Sequence, residues 1–267
     1  GQVINFVNRI ARRVAEKYPN VYLETLSYQY TSELPSGGVK PDDNVIIRLC
    51  TDMCHTHTDE KECAVLKTET ERLRQWSQIS RNVYVWYYVA NYVNYFAPFP
   101  NFTAMQNAFS LFAKNGVNGV YSEGFGYESP EFGELRSYLL SKLSLNPRMS
   151  YSEYRYHMKD FLTGYYGEGG EKILEYIDLL EKTLRRALHE NRTRYRYFIP
   201  FQNFLASPSF RRIFADPCIG MSVRFYGFYS ICHNKYHKIQ PPVFGYIVHM
   251  RCVFLFLFDV YAEIYVF

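Results

Sequence analysis

The chain has 267 residues, 48% of them apolar and 21% charged, so it can bury one substantial core, or one domain with an appendage. Its formal net charge of +4 is small and no long run of Lys and Arg occurs, which argues against nucleic acid or an acidic surface as a partner. The six cysteines form no Cys-x-x-Cys pair and no regular framework, which argues against a disulfide scaffold and a thiol redox motif.

An amphipathic helix is predicted at the start of the chain. Four apolar residues recur there at helical spacing, namely Val3, Val7, Ile10 and Val14. Pro19 closes the segment, as is typical of a helix that packs on a sheet. The segment lacks the features of a signal peptide, and because the chain begins inside this helix without Met, we expect the natural protein to begin earlier.

Strand and helix patterns then alternate. Short runs rich in apolar, β-branched and aromatic residues predict four strands, at 21–28, 44–50, 82–90 and 117–124. Apolar residues at helical spacing predict helices after the last three, beginning near Leu66, Phe102 and Phe132. This order is typical of βα units that form a parallel sheet.

The fold class predicted from this order is α/β, as the C-terminal half of a (β/α)8 TIM barrel. Four βα units in about 130 residues amount to half of a barrel of about 250 residues. An open doubly wound sheet is the structural alternative, although its glycine-rich phosphate turn is absent. We therefore predict a barrel-like domain at 1–146 and a helical extension at 147–192, with helices around 151–164 and 168–190.

The composition of the sequence changes after residue 192. Residues 193–267 are rich in aromatic residues and net basic, and their apolar residues recur at neither helix nor strand spacing. A shifted reading frame would produce this texture, and a genuine aromatic tail is the alternative. The final apolar stretch is too short and too interrupted to predict a membrane span.

Candidate binding residues follow the predicted strands, because the active face of a barrel or parallel sheet lies beyond the C-terminal ends of its strands. Aromatic rings beside polar hydrogen-bonding groups suit a sugar site. We therefore predict that carbohydrate contacts a set of strand-end residues, namely Tyr28, Tyr30, His55, His57, Trp86, Tyr88 and Asn91, with Asn94 as a further candidate. The alternative for Trp86 and the tyrosines is ordinary barrel packing.

One carboxylate is placed to take part in catalysis. Glycosidases commonly set two carboxyl groups across the scissile bond. Glu123 directly follows the fourth apolar run, whereas Glu128, Glu131 and Glu134 fall in a predicted loop and helix start. Asp52 is the acid at another strand end, and the chain contains no G-x-S-x-G nucleophile elbow. Glu123 is therefore the predicted catalytic residue.

Thiol and imidazole groups are concentrated after the second strand. Five such residues lie in one short stretch, namely Cys50, Cys54, His55, His57 and Cys63. Their spacing is not a standard zinc pattern, so the sequence favours loop packing, or a histidine that bonds substrate, over a metal site. We predict no metal and no cofactor.

An ordered set of segments resembles a known family. The segments are VNRIARRVAEKYPNVYLETLSYQYT, PDDNVIIRLC, VYVWYYVANYVNYFAPFPN, GVNGVYSEG, ELRSYLLSKLSLNP and FLTGYYGEGGEKILEYI, and they cover nearly all of 1–190. They resemble a bacterial family of domains of unknown function, which is itself similar to TIM-barrel glycoside hydrolases of α-glucuronidase and β-hexosaminidase type. The set is more specific for the family than for an activity.

The resemblance implies an extracellular or periplasmic protein that processes polysaccharide. It implies that the first half of the barrel, with the catalytic acid, precedes this chain. Where the resemblance leads us to expect Trp-Asp-Tyr, the chain has Trp86-Tyr87-Tyr88, so a carboxylate that would bind substrate is absent. We predict a glycoside hydrolase-like protein that acts on or binds poly- or oligosaccharide, and a non-catalytic carbohydrate-binding protein on a degenerate barrel is the alternative.

Overall fold

A computed structural model describes residues 1–92, 98–124 and 130–190. The chain forms two compact units. Among the described residues, the first comprises 1–90, 100–124 and 130–161, and the second comprises 91–92, 98–99 and 162–190. Three predicted features lie outside the described residues, namely Asn94, Glu128 and the aromatic tail at 193–267.

The first unit is built on a four-stranded parallel sheet, which confirms the α/β class. The strands follow one another in the sheet in chain order, and they are β1 (Leu23–Ser27), β2 (Val45–Thr51), β3 (Val83–Tyr88) and β4 (Gly119–Glu123). Each lies within one or two residues of its predicted bounds. The register pairs Cys50 with Trp86 and Trp86 with Tyr121, so residues of the same parity form rows across the sheet.

The described residues contain six α-helices. They are α1 (Gln2–Lys17), α2 (Ala64–Ile79), α3 (Phe102–Lys114), α4 (Gly133–Leu145), α5 (Tyr151–Tyr166) and α6 (Gly170–Glu190). The predicted helices are thus confirmed, including those around 151–164 and 168–190. Within the described part of the chain, no helix combines the length and the apolar character that crossing a membrane requires.

The two faces of the sheet differ in burial. One, the helix-packed face, is buried and carries alternate residues of the two central strands, namely Val45, Ile47, Leu49, Thr51, Val83, Val85 and Tyr87. The other, the open face, carries the residues between them, which are half-exposed, namely Ile46, Arg48, Cys50, Tyr84, Trp86 and Tyr88. This alternation follows from the two-residue period of a strand.

Helices cover the helix-packed face through specific contacts. The Tyr87 ring packs edge-on against Phe109 and Phe112 of α3, with ring centroids 6.4 and 5.5 Å away. The Thr51 hydroxyl donates a hydrogen bond of 2.8 Å to the buried Glu69 of α2. The main core of the first unit therefore lies between this face and the helices.

A buried arginine contacts several residues around the helices α3 and α4. Arg136 of α4 is 1% exposed and stacks its guanidinium over the Phe102 ring, 4.4 Å from the centroid. It donates hydrogen bonds to the Glu131 backbone carbonyl at 2.9 Å and to the Asn101 side chain. The carboxylate of Glu131 lies 3.8 Å from the same guanidinium. The charge is thus enclosed with acceptors on several sides, as buried charges require.

The first helix shows a difference from the sequence prediction. The structure buries Ile4, Asn8 and Ala11, whereas Val3 and Ile10 are exposed. Asn8 turns inward because its side-chain amide donates to the Lys40 carbonyl at 2.8 Å and its oxygen accepts from the Asp42 backbone N–H at 3.0 Å. The buried positions are thus shifted by one residue from the predicted apolar positions, and the Asn8 side chain is satisfied at its buried position.

Candidate functional site

The C-terminal half of the open face carries a carboxylate that is held by an aromatic side chain. Trp86 and Glu123 lie on neighbouring strands, and the indole N–H of Trp86 donates a 2.5 Å hydrogen bond to Glu123 Oε2. The same indole packs edge-on against Tyr121, with ring centroids 4.5 Å apart. One carboxylate oxygen is therefore fixed in direction by the sheet.

Two tyrosines extend this arrangement across the strand ends. Tyr88 is directly opposite Glu123 in the β3–β4 register. The pKa of Tyr88 is raised chiefly because its hydroxyl is partly buried. The nearby Cys50 and Glu123, and a hydrogen bond with Tyr28, raise this pKa further. Tyr28 is 45% exposed. Four predicted residues therefore lie together at the C-terminal ends of the strands. We call Tyr28, Trp86, Tyr88 and Glu123 the strand-end cluster.

An ion pair lies beside the strand-end cluster on the same open face. Arg48 donates to both carboxylate oxygens of Glu24, at 2.5 Å each. Its guanidinium lies 5.9 Å from the Tyr84 ring centroid and 5.7 Å from that of Tyr121. The hydrogen bonds from Arg48 to Glu24 are the largest cause that raises the arginine pKa. The open face therefore combines aromatic rings with a fixed cation and two carboxylates.

The other four predicted binding residues are placed elsewhere. Tyr30 is 85% exposed and lines a separate cleft of about 580 Å³ beside Ile4 and Trp76. His55 is buried, with its ring stacked 6.0 Å from that of Tyr87, and burial lowers its pKa to about 4. Neither reaches the open face. Asn91 belongs to the second compact unit.

On the third strand, Tyr87 stands where the resemblance leads us to expect Asp, and this residue lies on the helix-packed face. Tyr87 is 0% exposed, and its hydroxyl has no hydrogen-bond partner among the described residues. Burial is the main cause that raises the pKa of this hydroxyl. The residue at position 87 therefore points towards the helices, and its identity does not change the number of carboxylates on the open face.

His57 takes part in a different cluster, in the loop between β2 and α2. Donor atoms of Cys54, His57 and Cys63 all lie within 4.8 Å of one another. The sulfur of Cys54 is 3.3 Å from His57 Nδ1 and accepts the His57 backbone N–H at 3.4 Å. The pKa of Cys54 is lowered to about 4, chiefly because the Cys63 thiol donates a hydrogen bond to the Cys54 sulfur. The same hydrogen bond raises the pKa of Cys63, because that thiol must keep its proton to donate.

The strand-end rule missed residues in the middle of strands. Arg48, Tyr84 and Tyr121 stand on the open face, yet none of them ends a strand. A signal was available for Arg48, because a charged residue inside an otherwise apolar strand indicates that its face is not fully buried. Tyr84 and Tyr121 carry no comparable signal.

Comparison with known proteins identifies the family and assigns it no function. A family model described as a domain of unknown function, DUF4838, matches residues 1–178. No curated protein and no solved structure matches the chain. The resemblance to a family of domains of unknown function is thereby confirmed over the matched residues.

Proposed function

The chain belongs to the DUF4838 family of domains of unknown function, and from that premise we propose that its open face binds carbohydrate within a glycoside hydrolase-like protein. The observation that carries this proposal is the hydrogen bond from Trp86 to Glu123 beside the exposed rings of Tyr28 and Tyr121. Such a surface offers flat rings to sugar C–H groups and a fixed acceptor to sugar hydroxyls.

We further propose that the sheet is the C-terminal half of a (β/α)8 barrel. Sequential parallel strands support this reading, because a doubly wound sheet reverses its strand order at a switch point. Helix contacts on one face and a polar, aromatic opposite face agree with a barrel wall whose inner side carries the site. The missing half would then supply the remaining wall of the cleft and the catalytic acid.

Glu123 is the proposed catalytic or substrate-positioning carboxylate. Glycoside hydrolysis uses two carboxyl groups with separate roles. The other open-face carboxylate in the described strands, Glu24, is engaged on both oxygens by Arg48. A second acid from the proposed missing half would therefore complete the pair. Without such an acid, the same surface would be a non-catalytic carbohydrate-binding face, which is the second candidate function.

Tryptophan fluorescence gives a direct test, because the chain has two tryptophans in different environments. Trp76 is buried in α2 and donates to the Ser32 carbonyl, whereas Trp86 stands on the open face. Titration with plant and host oligosaccharides should change the emission of the natural chain. Trp86→Phe should abolish the change, and Trp76→Phe should retain it.

Activity separates the two candidate functions. The activity test uses the longer natural protein that would include the proposed first half of the barrel. For an enzyme, Glu123→Gln in that protein should retain glycan binding and lose turnover, while Trp86→Ala should weaken binding at least about tenfold. For a binding protein, the unsubstituted protein and Glu123→Gln should bind equally without turnover. The absence of any fluorescence response to the whole glycan panel would contradict the proposal that the open face binds carbohydrate.

A further inference from the structure

The loop between β2 and α2 brings together three side chains that suit a metal ion. Cys54 and His57 lie within the loop, and Cys63 is the N-cap residue of α2. Their donor atoms lie within 4.8 Å of one another, and the three side chains are partly buried. This constellation is independent of the proposed carbohydrate site, since none of its members belongs to the strand-end cluster.

The distances agree with tetrahedral coordination of zinc. Metal–ligand lengths of about 2.3 Å to sulfur and about 2.0 Å to nitrogen separate tetrahedral ligands by about 3.8 Å for two sulfurs and about 3.5 Å for sulfur and nitrogen. The Cys54 sulfur and His57 Nδ1 are 3.3 Å apart. All three donor atoms lie within 4.8 Å of one another, so side-chain movements of about 1 Å would bring them to tetrahedral spacing around one ion.

The surroundings favour thiolate ligands. The sulfur of Cys54 accepts the backbone N–H of His57, and that of Cys63 accepts the backbone N–H of Leu66, each at 3.4 Å. Cys63 also stands at the N-terminus of the 16-residue helix α2, where the helix dipole stabilises negative charge. Such hydrogen bonds to ligating atoms orient them and spread their charge, as contacts around metal ligands do.

We propose that Cys54, His57 and Cys63 bind one zinc ion, with a water molecule or an added ligand in the fourth position. Two thiolates and an imidazole are donors that zinc prefers, whereas magnesium and calcium prefer oxygen ligands. Binding would release to solvent the single proton that the Cys63 thiol donates to the Cys54 sulfur, and two zinc–sulfur bonds would replace that hydrogen bond. The ion would fix the loop to the start of α2.

The test is metal content and cobalt spectroscopy on the whole chain. The reduced protein, purified with zinc and without chelator, should hold about one zinc per chain. Cobalt substituted for zinc should show the intense visible bands of a tetrahedral site and a thiolate charge-transfer band. Cys54→Ser and His57→Gln should each reduce zinc occupancy at least about tenfold, and a chelator should lower the melting temperature of the zinc-loaded chain.

Two variants serve as controls. Cys50→Ser removes a half-buried thiol that lies outside the cluster, so it should leave zinc content unchanged. Cys54→His keeps a zinc ligand at the same position and should retain tetrahedral cobalt bands, which separates loss of a ligand from loss of folding. A zinc content of the natural chain no higher than the background level would overturn the proposal. So would unchanged zinc content in both ligand variants, or a Cys54–Cys63 disulfide in protein purified under zinc without oxygen.

Discussion

The helix-packed face and the open face of the sheet are made by the same strands, yet their side chains are stabilised in different ways, by apolar packing on the first and by polar and aromatic contacts on the second. Leu49 and Val85 are buried at 0% exposure, while their chain neighbours Arg48 and Trp86 bond to carboxylates on the open face. Burial on one face demands close packing with few polar atoms. Partial exposure on the other face permits a network of charged and aromatic groups, and that network is the candidate site.

Two arginines of the first unit, one on the open face and one buried among the helices, should show the largest difference in their effect on stability. Arg136→Leu should lower the free energy of unfolding by about 3–5 kcal/mol, because Glu131 would keep its buried charge beside an apolar side chain. Arg48→Leu should lower it by up to about 1 kcal/mol, since its partner Glu24 stays partly in water. Urea denaturation checks both values. Equal losses would show that solvent does not reach the open face.

A neighbouring pair on β2 tests packing without charge. Leu49→Ala should cost about 2–5 kcal/mol, through lost burial and the cavity that remains. Cys50→Ala, one residue further and on the open face, should cost less than about 1 kcal/mol, because that thiol is only half-buried. Thermal unfolding of the two variants measures the difference. A Cys50→Ala loss as large as that of Leu49→Ala would mean that the open face is covered in solution.

Adjacent tyrosines on β3 should respond in opposite directions. Tyr87→Phe should stabilise the chain by about 1 kcal/mol, because it removes a buried hydroxyl that bonds to nothing in the described part of the chain. Tyr88→Phe should destabilise it by about 1 kcal/mol, because it removes the hydrogen bond with Tyr28. Melting temperatures of the two single variants provide the comparison. Destabilisation by Tyr87→Phe would mean that its hydroxyl makes a favourable contact in solution.

The smallest effect on stability is expected at the candidate catalytic residue. Glu123→Gln keeps an oxygen that accepts the Trp86 N–H, so the free energy of unfolding should change by less than about 0.5 kcal/mol. Chemical denaturation tests this value, with Glu69→Gln as the matched control, because buried Glu69 holds Thr51 and Arg72 together and its substitution should cost more. A larger loss at Glu123 than at Glu69 would indicate a structural role for Glu123.

Part of the predicted set of strand-end residues lies together for a geometric reason. Trp86 and Tyr88 share one parity on β3, and Glu123 pairs with Tyr88 in the register, so these side chains meet without help from any loop. His55 and His57, which follow β2 in a loop, do not join them. No period governs such a segment, and the chain sends one imidazole into the core and the other towards two thiols.

The sequence by itself determined the order and type of the elements, because apolar runs and helical spacing express the burial that each element needs. It also determined which residues alternate between the two faces of each strand. Only the tertiary structure decided which face of α1 is buried, because the hydrogen bonds of Asn8 to Lys40 and Asp42 depend on contacts 32 and 34 residues away along the chain. It likewise decided that Cys54, His57 and Cys63 converge, since donor distances depend on the path of the loop and on the position of α2 rather than on spacing along the chain.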